Sequence, residues 1–178
     1  MSKSKISKGK LVRKFGENIF GNPKFDNLLN KKPYTPGQHG PTRRKRLSNY
    51  GLQLKEKQKT KAMYGVLEKQ FRNYFHKAEK MNGETGPNLL KLLEKRFDNV
   101  VYRLGFASTR SQARQLVSHC HFLLNNKKCN YPSALLKPGD VIKVRDKSKK
   151  MDIILSSIKR IKGDIDLPWL ELDKANMR

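Results

Sequence analysis

The chain has 178 residues and a formal net charge of +25, since 40 lysines and arginines outnumber 15 aspartates and glutamates. Self-repulsion on this scale opposes compaction unless a polyanion compensates it, and nucleic acid supplies phosphates at high density. Membrane binding is the rival explanation of a basic chain, but it needs a concentrated amphipathic segment or a lipid anchor, and neither is visible. The composition therefore predicts a nucleic-acid-binding protein.

The positive charge is spread along the chain instead of forming one detachable tail. Residues 1–60 hold 16 basic and 3 acidic side chains, residues 61–150 hold 19 and 7, and residues 151–178 hold 5 of each. Charge spread over folded segments implies a large, shaped contact surface. The only two cysteines, Cys120 and Cys129, are too few for a disulfide framework, which favours a soluble protein of a reducing compartment. We expect both cysteines to be small buried hydrophobic side chains.

Residues 1–46 show no sustained hydrophobic periodicity, contain many glycines and prolines, and end in the run Arg43-Arg44-Lys45-Arg46. This pattern predicts an extended, basic N-terminal segment, rich in loops, that becomes ordered against RNA because its glycines permit close approach to phosphate. A solvated, disordered basic arm is the alternative.

Helical periodicity begins near residue 52. It predicts a short basic helix that ends near Gly65, an amphipathic helix over 66–81 with an aromatic core face, and a leucine-rich helix from Pro87 to Gly105. The pattern leaves open whether the third helix is interrupted near Asp98, a carboxylate that we expect to pair with a nearby arginine.

Thr109 and Gln112 form a capping-box pattern, which predicts a helix from Arg110 to about Ser118. Strands are predicted over 121–124, 127–131 and 141–145, with a hairpin turn at Asn125-Asn126. A final amphipathic helix is predicted over 151–163, followed by a segment at 167–170 that packs back on the helical domain. The predicted fold class is α+β.

Several ordered motifs resemble one family. Tyr34-Thr35-Pro36-Gly37-Gln38-His39-Gly40 is similar to a signature near the N-terminus of the ribosomal protein S4 family of the small subunit, and residues 47–59 and 64–74 continue the match. Residues 96–106 and 108–119 resemble the RNA-binding module that carries the family's name. The module alone also occurs in RNA-modifying enzymes and other factors, whereas both blocks together are specific to the ribosomal protein.

The resemblance implies an α-helical domain (residues 47–95 and 151–178) with a small α+β RNA-binding module (96–150) inserted between its helices, preceded by the extended segment 1–46. It implies a structural protein, not an enzyme, that binds the 5′ domain of small-subunit rRNA, nucleates assembly, and contributes to decoding accuracy. The implied partners are this rRNA, ribosomal proteins S5 and S3, and mRNA near the channel by which it enters. The implied location is the cytoplasmic ribosome of a bacterium, with an organellar ribosome as the alternative.

Arginine suits structured RNA because its guanidinium makes two parallel bonds to phosphate and stacks on bases, and polar neighbours suit the 2′-hydroxyl. For the residues of the module, the competing interpretation is a helix face that only contacts solvent. For the residues of the loops, it is an ordinary solvated turn. The candidate RNA-binding residues are Gln38, His39, Arg43, Arg44, Arg46, Tyr50, Gln53, Lys57, Arg96, Asn99, Arg103, Arg110, Gln112, Arg114, Gln115, Ser118, His119 and Lys127.

A metal site and a catalytic site are both disfavoured. His119 and His121 alternate with Cys120 along an extended segment, and no second close pair completes a tetrahedral set with Cys129. Many bacterial members of the family carry N-terminal cysteines that hold zinc, but residues 1–33 contain none. We therefore expect no metal, no cofactor and no small-molecule substrate. Two rival functions, a fragment of an RNA-modifying enzyme and a ribosome-rescue factor, do not account for the motifs over 34–74.

Overall fold

The computed structural model describes residues 6–42, 47–160 and 167–173, and its internal contacts divide the chain into two units, Met1–Asn73 and Tyr74–Arg178. The helices of the described residues are α1 (Lys8–Phe15), α2 (Pro23–Lys31), α3 (Asn49–Tyr64), α4 (Glu68–Glu79), α5 (Thr85–Glu94), α6 (Phe97–Arg103), α7 (Arg110–Ser118) and α8 (Asp152–Lys159). The strands are β1 (Phe122–Leu124), β2 (Lys127–Lys128) and β3 (Ile142–Val144). None of these helices has the length and apolar character that crossing a membrane requires.

The first unit contains two helices, α1 and α2, where an extended segment was expected from the sequence. The Ser7 side chain accepts a hydrogen bond from the Lys10 N–H at the start of α1, and Asn22 caps α2 in the same way just before Pro23. The expectation of an extended segment was wrong for these residues because Gly16, Gly21 and Pro23 mark helix ends rather than continuous loop.

A small apolar core explains why these two short helices are stable. Val12, Phe15 and Ile19 are buried, and further side chains from α1, α2 and the last turn of α3 pack around them. Isolated helices of eight or nine residues are marginal in water, so their stability comes from this packing. The partly buried members of the cluster are Leu11, Phe20, Phe25, Leu29, Ala62 and Met63.

The second unit is built on one hydrophobic core between the helices α6 and α7 and one face of the sheet. Phe122 of β1 lies against the rings of Phe97 and Phe106, with centroid distances of 6.3 and 5.6 Å. The same core takes Val101 from α6, Val117 from α7 and further side chains from β3 and α8. Burial of this apolar surface is the main stabilising term of the unit.

One question that the sequence left open concerns the segment before α6. The leucine-rich helix is interrupted, since α5 ends at Glu94 and α6 begins at Phe97. Between them the backbone runs antiparallel to residues 132–136, with the N–H groups of Phe97 and Asp98 donating to the carbonyls of Ala134 and Pro132. This pairing takes the place of the helical hydrogen bonds at the break.

The sheet has the order β2-β1-β3 and is antiparallel throughout. Asn125 and Asn126 have φ of 50° and 64°, which confirms the predicted hairpin turn with positive φ at both positions. The return strand is shorter than expected: β2 stops at Lys128, because the chain turns through Pro132 to pair with the break before α6.

Three packing expectations need correction. Leu67 and Phe75 of the aromatic helix are 40% and 42% exposed, although Phe71, Tyr74 and Ala78 are buried as predicted. Leu170 and Leu172 pack against the core of the second unit, whereas Trp169 is 64% exposed. Cys120 and Cys129 are only half-buried, because both lie outside the strands β1 and β2, although Cys129 still packs against the core of the second unit.

Candidate nucleic-acid interface

In the first unit, a compact loop over residues 33–42 carries two of the predicted RNA contacts. The Arg13 guanidinium of α1 donates to the carbonyl oxygens of Tyr34 and Thr35 at 3.1 and 3.2 Å, and it stacks on the Tyr34 ring at 4.8 Å. Gly37 adopts a φ of +112°, which only glycine takes without strain. Gln38 and His39 are exposed at the tip of this loop, as their predicted role requires.

The loop is closed by a close approach of its own backbone at Gly40. The Gly40 N–H donates to the Gly37 carbonyl at 3.2 Å, and the Thr42 hydroxyl donates to the His39 carbonyl at 2.6 Å. A side chain at position 40 has no room, because a Cβ there would overlap the Thr35 carbonyl oxygen. The shape of the tip therefore depends on this glycine.

Replacing Gly40 by alanine is expected to destabilise the protein by about 1–3 kcal/mol, the usual cost of forcing extra atoms into a packed site. The measurement is chemical denaturation of the full chain. Gly86→Ala is the matched control, because nothing lies within 4 Å of a Cβ at that helical position. Equal stability of the two variants would contradict the close approach at Gly40.

Helix α3 carries the next predicted contacts, Tyr50, Gln53 and Lys57. Tyr50 is 73% exposed and Gln53 is exposed, but Lys57 donates to Glu68 at 2.6 Å. Lys61 donates to the second oxygen of the same carboxylate, and the two hydrogen bonds lower the pKa of Glu68 to about 2. Lys57 is therefore part of an ion-pair cluster. The predicted contacts Arg43, Arg44 and Arg46 lie outside the described residues.

In the second unit, a buried carboxylate holds two arginines. Asp98 is 2% exposed and accepts two hydrogen bonds from Arg96, at 3.1 and 2.9 Å. It also accepts from Nε of Arg114, at 2.8 Å, which confirms that this aspartate pairs with a nearby arginine. Burial alone lowers the pKa of Arg96, but the hydrogen bonds and charge of Asp98, together with Tyr74, outweigh burial and raise it.

The two arginines on Asp98 differ in what they can reach. Arg96 is 2% exposed, and its remaining terminal nitrogen donates to the Tyr74 hydroxyl at 2.7 Å. Arg114 lies on α7 with 27% of its side chain exposed. The structure thus places Arg96, a predicted RNA contact, in the interior, where it supports Asp98, and it places Arg114 at the surface.

A second polar cluster, centred on Asn99, lies beside the first. Asn99 is 1% exposed, donates to the Glu94 carboxylate at 2.7 Å and accepts from Nε of Arg110 at 2.8 Å. Glu94 also accepts a hydrogen bond from Arg103, at 2.8 Å. The Arg110 guanidinium lies over the Tyr102 ring at 4.5 Å. Arg103 and Arg110 are partly exposed, whereas Asn99, another predicted contact, is an interior link between them.

The other predicted contacts of the module divide by exposure. Gln115, His119 and Lys127 are exposed. The Thr109 hydroxyl accepts from the N–H of Gln112, as the capping box predicts. The Gln112 side chain accepts in return from the N–H and the hydroxyl of Ser108, whereas in an ideal capping box it would accept from the N–H of Thr109. Ser118 donates to the Arg114 carbonyl.

The histidines near β1 lie together, with the ring centroids of His119 and His121 6.1 Å apart. His121 is hydrogen-bonded to the Ser148 hydroxyl at 2.9 Å. Burial lowers the pKa of His121, and the neighbouring His119 and Arg145 lower it further, so the ring is neutral at neutral pH. Over the part of the chain that the structure describes, no group of three or more potential metal ligands comes together.

Four residues of this arrangement were not among the predicted site residues. Tyr74, Glu94 and Tyr102 anchor the arginines of the second unit, and Arg13 holds the loop of the first. The sequence did contain a signal for Glu94. Acidic side chains are scarce in this basic chain, so a carboxylate among basic neighbours is expected to pair with one of them. Nothing in the sequence pattern distinguished Tyr74 from an ordinary core aromatic.

Comparison with known proteins accounts for most of the chain. The family model for the ribosomal protein S4/S9 N-terminal domain matches residues 3–94, and that for the S4 domain matches residues 95–142. The small ribosomal subunit protein uS4 of Chlorobaculum tepidum is 49% identical over 178 residues, which cover 100% of this chain and 87% of that protein. Its counterpart in Parabacteroides distasonis is 54% identical over 168 residues, which cover 94% of this chain and 82% of that protein. The chain therefore belongs to the ribosomal protein S4 family of structural, non-enzymatic proteins, as its motifs predicted.

Proposed function

We propose that the chain is a structural constituent of the bacterial small ribosomal subunit that binds ribosomal RNA directly. The observation that carries this proposal is that Arg103, Arg110 and Arg114 are partly exposed and are each held in place by a buried or half-buried partner. The relatives that support a ribosomal role come from bacteria, so an organellar ribosome has no support among them.

The internal partners fix the arginines before RNA arrives. Asp98 holds Arg114, Glu94 holds Arg103, and Asn99 together with the Tyr102 ring holds Arg110. An exposed arginine usually loses rotamer entropy when it binds a phosphate, and side chains that are already ordered lose less. In this proposal Arg96 and Asn99 position their neighbours and do not touch RNA themselves.

The mechanism has two stages. The charge of +25 attracts the RNA over long distances and releases condensed counterions, a contribution that weakens with salt and does not depend on sequence. The ordered arginines of the second unit and the exposed tip of the loop over 33–42 then contact particular phosphates and bases. A-form RNA is recognised by shape, phosphate and 2′-hydroxyl positions, which suits a rigid set of donors.

The finer role follows from the family resemblance and belongs to the proposal. The preferred site is the 5′ domain of small-subunit rRNA, where early binding nucleates assembly. In this role the chain also contacts ribosomal proteins S5 and S3 and lies beside the channel by which mRNA enters. It thereby influences decoding accuracy. The inserted module over 96–150 within helices of 47–95 and 151–178 is the domain arrangement that we propose for it.

A salt titration of binding tests the proposal. The full chain is titrated with the 5′ domain of a bacterial small-subunit rRNA and with a scrambled RNA of the same length, from about 50 to 200 mM salt. We expect binding to the 5′ domain to remain tight as salt rises, while binding to the scrambled RNA falls steeply. Equal, steeply salt-dependent binding to both would reject direct recognition and leave only a nonspecific cationic binder.

A further inference from the structure

The sheet of the second unit has two chemically different faces. Phe122, Leu124, Ile142 and Val144 point into the hydrophobic core. The register pairs Leu123 with Lys128 on one side and with Lys143 on the other, so these three residues share the outer face. This face is turned away from the helices α6 and α7, which pack on the inner side.

The outer face continues one step beyond the strands. The Arg145 N–H donates to the His121 carbonyl at 3.0 Å, which extends the pairing of β1 with β3 by one residue. Arg145 is two residues after Lys143 and His121 is two residues before Leu123, so both lie on the same outer face. Neighbouring strands are about 4.8 Å apart, so the backbones of Lys128 and Lys143 are about 10 Å apart, and Arg145 is about 7 Å along the strand from Lys143. We call Lys128, Lys143 and Arg145 the sheet-face cations.

Two of the sheet-face cations, Lys143 and Arg145, are held by neutral oxygens. Lys143 donates to the Asn126 side-chain oxygen at 3.0 Å, and Arg145 donates to the Cys120 carbonyl at 3.1 Å. Of the described carboxylates, none lies within ion-pair distance of a sheet-face cation. The arginines on α6 and α7, in contrast, share Glu94 and Asp98.

The two acidic residues nearest in sequence are engaged elsewhere. Asp140 accepts hydrogen bonds from the Lys137 N–H and from Asn125, which lower its pKa, and Asp146 pairs with Lys149 at 2.8 Å. The neutral His121 ring adds no charge to the face. The face therefore has positive charge that the fold orders and does not neutralise.

An extended acidic peptide is a poor fit to this face. Peptides that bind sheets usually add a strand to an exposed edge, but the edge strand β2 has two residues and the opposite edge, β3, has three. Recognition must therefore come from side chains that stand up from a flat surface. A backbone with phosphates at regular intervals matches three separated donors around a half-buried leucine.

We propose that the outer face of the sheet is a second RNA-contacting surface of the module, which binds the phosphate backbone of a different RNA segment from the one on α6 and α7. This inference rests on the proposed function, since it assumes that the chain binds rRNA. The module then lies between two RNA segments and joins them, with its hydrophobic core as the spacer.

The test variant is K128Q/K143Q/R145Q in the full chain, measured against the 5′-domain RNA. We expect the slope of log affinity against log salt to fall by about one unit for each cation that contacts a phosphate. In chemical footprinting, the parent chain should protect two RNA segments. K128Q/K143Q/R145Q should lose protection of one of them, and R110A/R114A should lose protection of the other.

Two further variants make the result specific. K77Q/K80Q/K91Q removes the same charge from exposed positions on α4, directly after α4 and on α5, and should leave both protected segments in place. K128Q/K143Q keeps the internal hydrogen bond from Arg145 to Cys120. A smaller drop in the salt slope with this variant would therefore come from lost RNA contacts and not from misfolding. Thermal unfolding of each variant is compared with that of the parent chain.

The outcomes separate this inference from the proposed function. If the parent chain does not prefer the 5′ domain over scrambled RNA, the proposed function fails and this inference fails with it. If the parent chain does prefer it and the sheet-face variant matches the helical control in slope and footprint, only the second surface is overturned. Unchanged RNA binding with impaired incorporation into subunits would also overturn it, and would assign the face to an acidic protein instead.

Discussion

Replacing Asp98 by alanine is expected to destabilise the protein by about 3–5 kcal/mol, the usual cost of removing one partner of a buried ion pair. Asp98 is 2% exposed, and its removal leaves the equally buried Arg96 without the carboxylate that accepts two of its hydrogen bonds. Among the described residues, the Tyr74 hydroxyl then remains as the hydrogen-bond acceptor for that guanidinium. Chemical denaturation of the full chain measures the effect.

Two companion variants show whether the uncompensated charge is the cause. Asp146→Ala removes a carboxylate that is 92% exposed and paired with Lys149, and it should leave stability nearly unchanged. The double variant R96M/D98A removes both charges of the buried pair and should be more stable than the sum of the two single changes predicts. Strict additivity would contradict the proposed coupling between Arg96 and Asp98.

The double variant R110A/R114A is expected to lose about 1–3 kcal/mol of RNA-binding free energy for each specific contact. Its slope of log affinity against log salt should also fall by about one unit for each phosphate that the variant no longer binds. The fold should remain, because Arg114 and Arg110 are partly exposed and Asp98 keeps its two hydrogen bonds from Arg96. Binding to the 5′-domain RNA at several salt concentrations gives both quantities.

The choice of control decides what this result means. R72A/R160A removes two exposed arginines from α4 and from the end of α8, with the same reduction of charge. R110K/R114K keeps the charge but loses the planar, two-pronged donor and the stacking on Tyr102, so it should restore binding only in part. If R110A/R114A binds RNA as tightly as the R72A/R160A control, these arginines are not part of the interface.

The helices of residues 49–118 were predictable because local chemistry marks them. Thr109 caps α7, and Gly65 ends α3 in the left-handed conformation that is typical of a helix-ending glycine. The helices α1 and α2 were not predicted, since each covers little more than two turns and their apolar faces are stable only when packed on each other and on the last turn of α3. The short β2 was missed for a similar reason, because a pairing distant in sequence draws residues 132–136 away from the hairpin.

The candidate site was predictable in composition but not in geometry. The arginines and their helix could be named from the sequence, as could the pairing of Asp98 with an arginine. The sequence does not show which arginines are interior, since that depends on contacts such as Tyr74 with Arg96, 22 residues apart, and Asp98 with Arg114, 16 residues apart. Such contacts form only in the folded chain, where Tyr74 of α4 and Arg114 of α7 reach the pair of Arg96 and Asp98.

Arg13 links the folding of the N-terminal helices to the loop over 33–42. The guanidinium belongs to α1, yet the carbonyls that it holds lie 21 and 22 residues later, at Tyr34 and Thr35. The position of Arg13 is set by its helix, and that helix is anchored by Val12 and Phe15 on either side. Arg13 therefore holds the first residues of the loop, while the loop's own hydrogen bonds at Gly40 and Thr42 close its tip. We expect a substitution among the apolar side chains that position α1 to shift the Arg13 guanidinium and, with it, the carbonyls of Tyr34 and Thr35, so this small core is a remote determinant of where the loop begins.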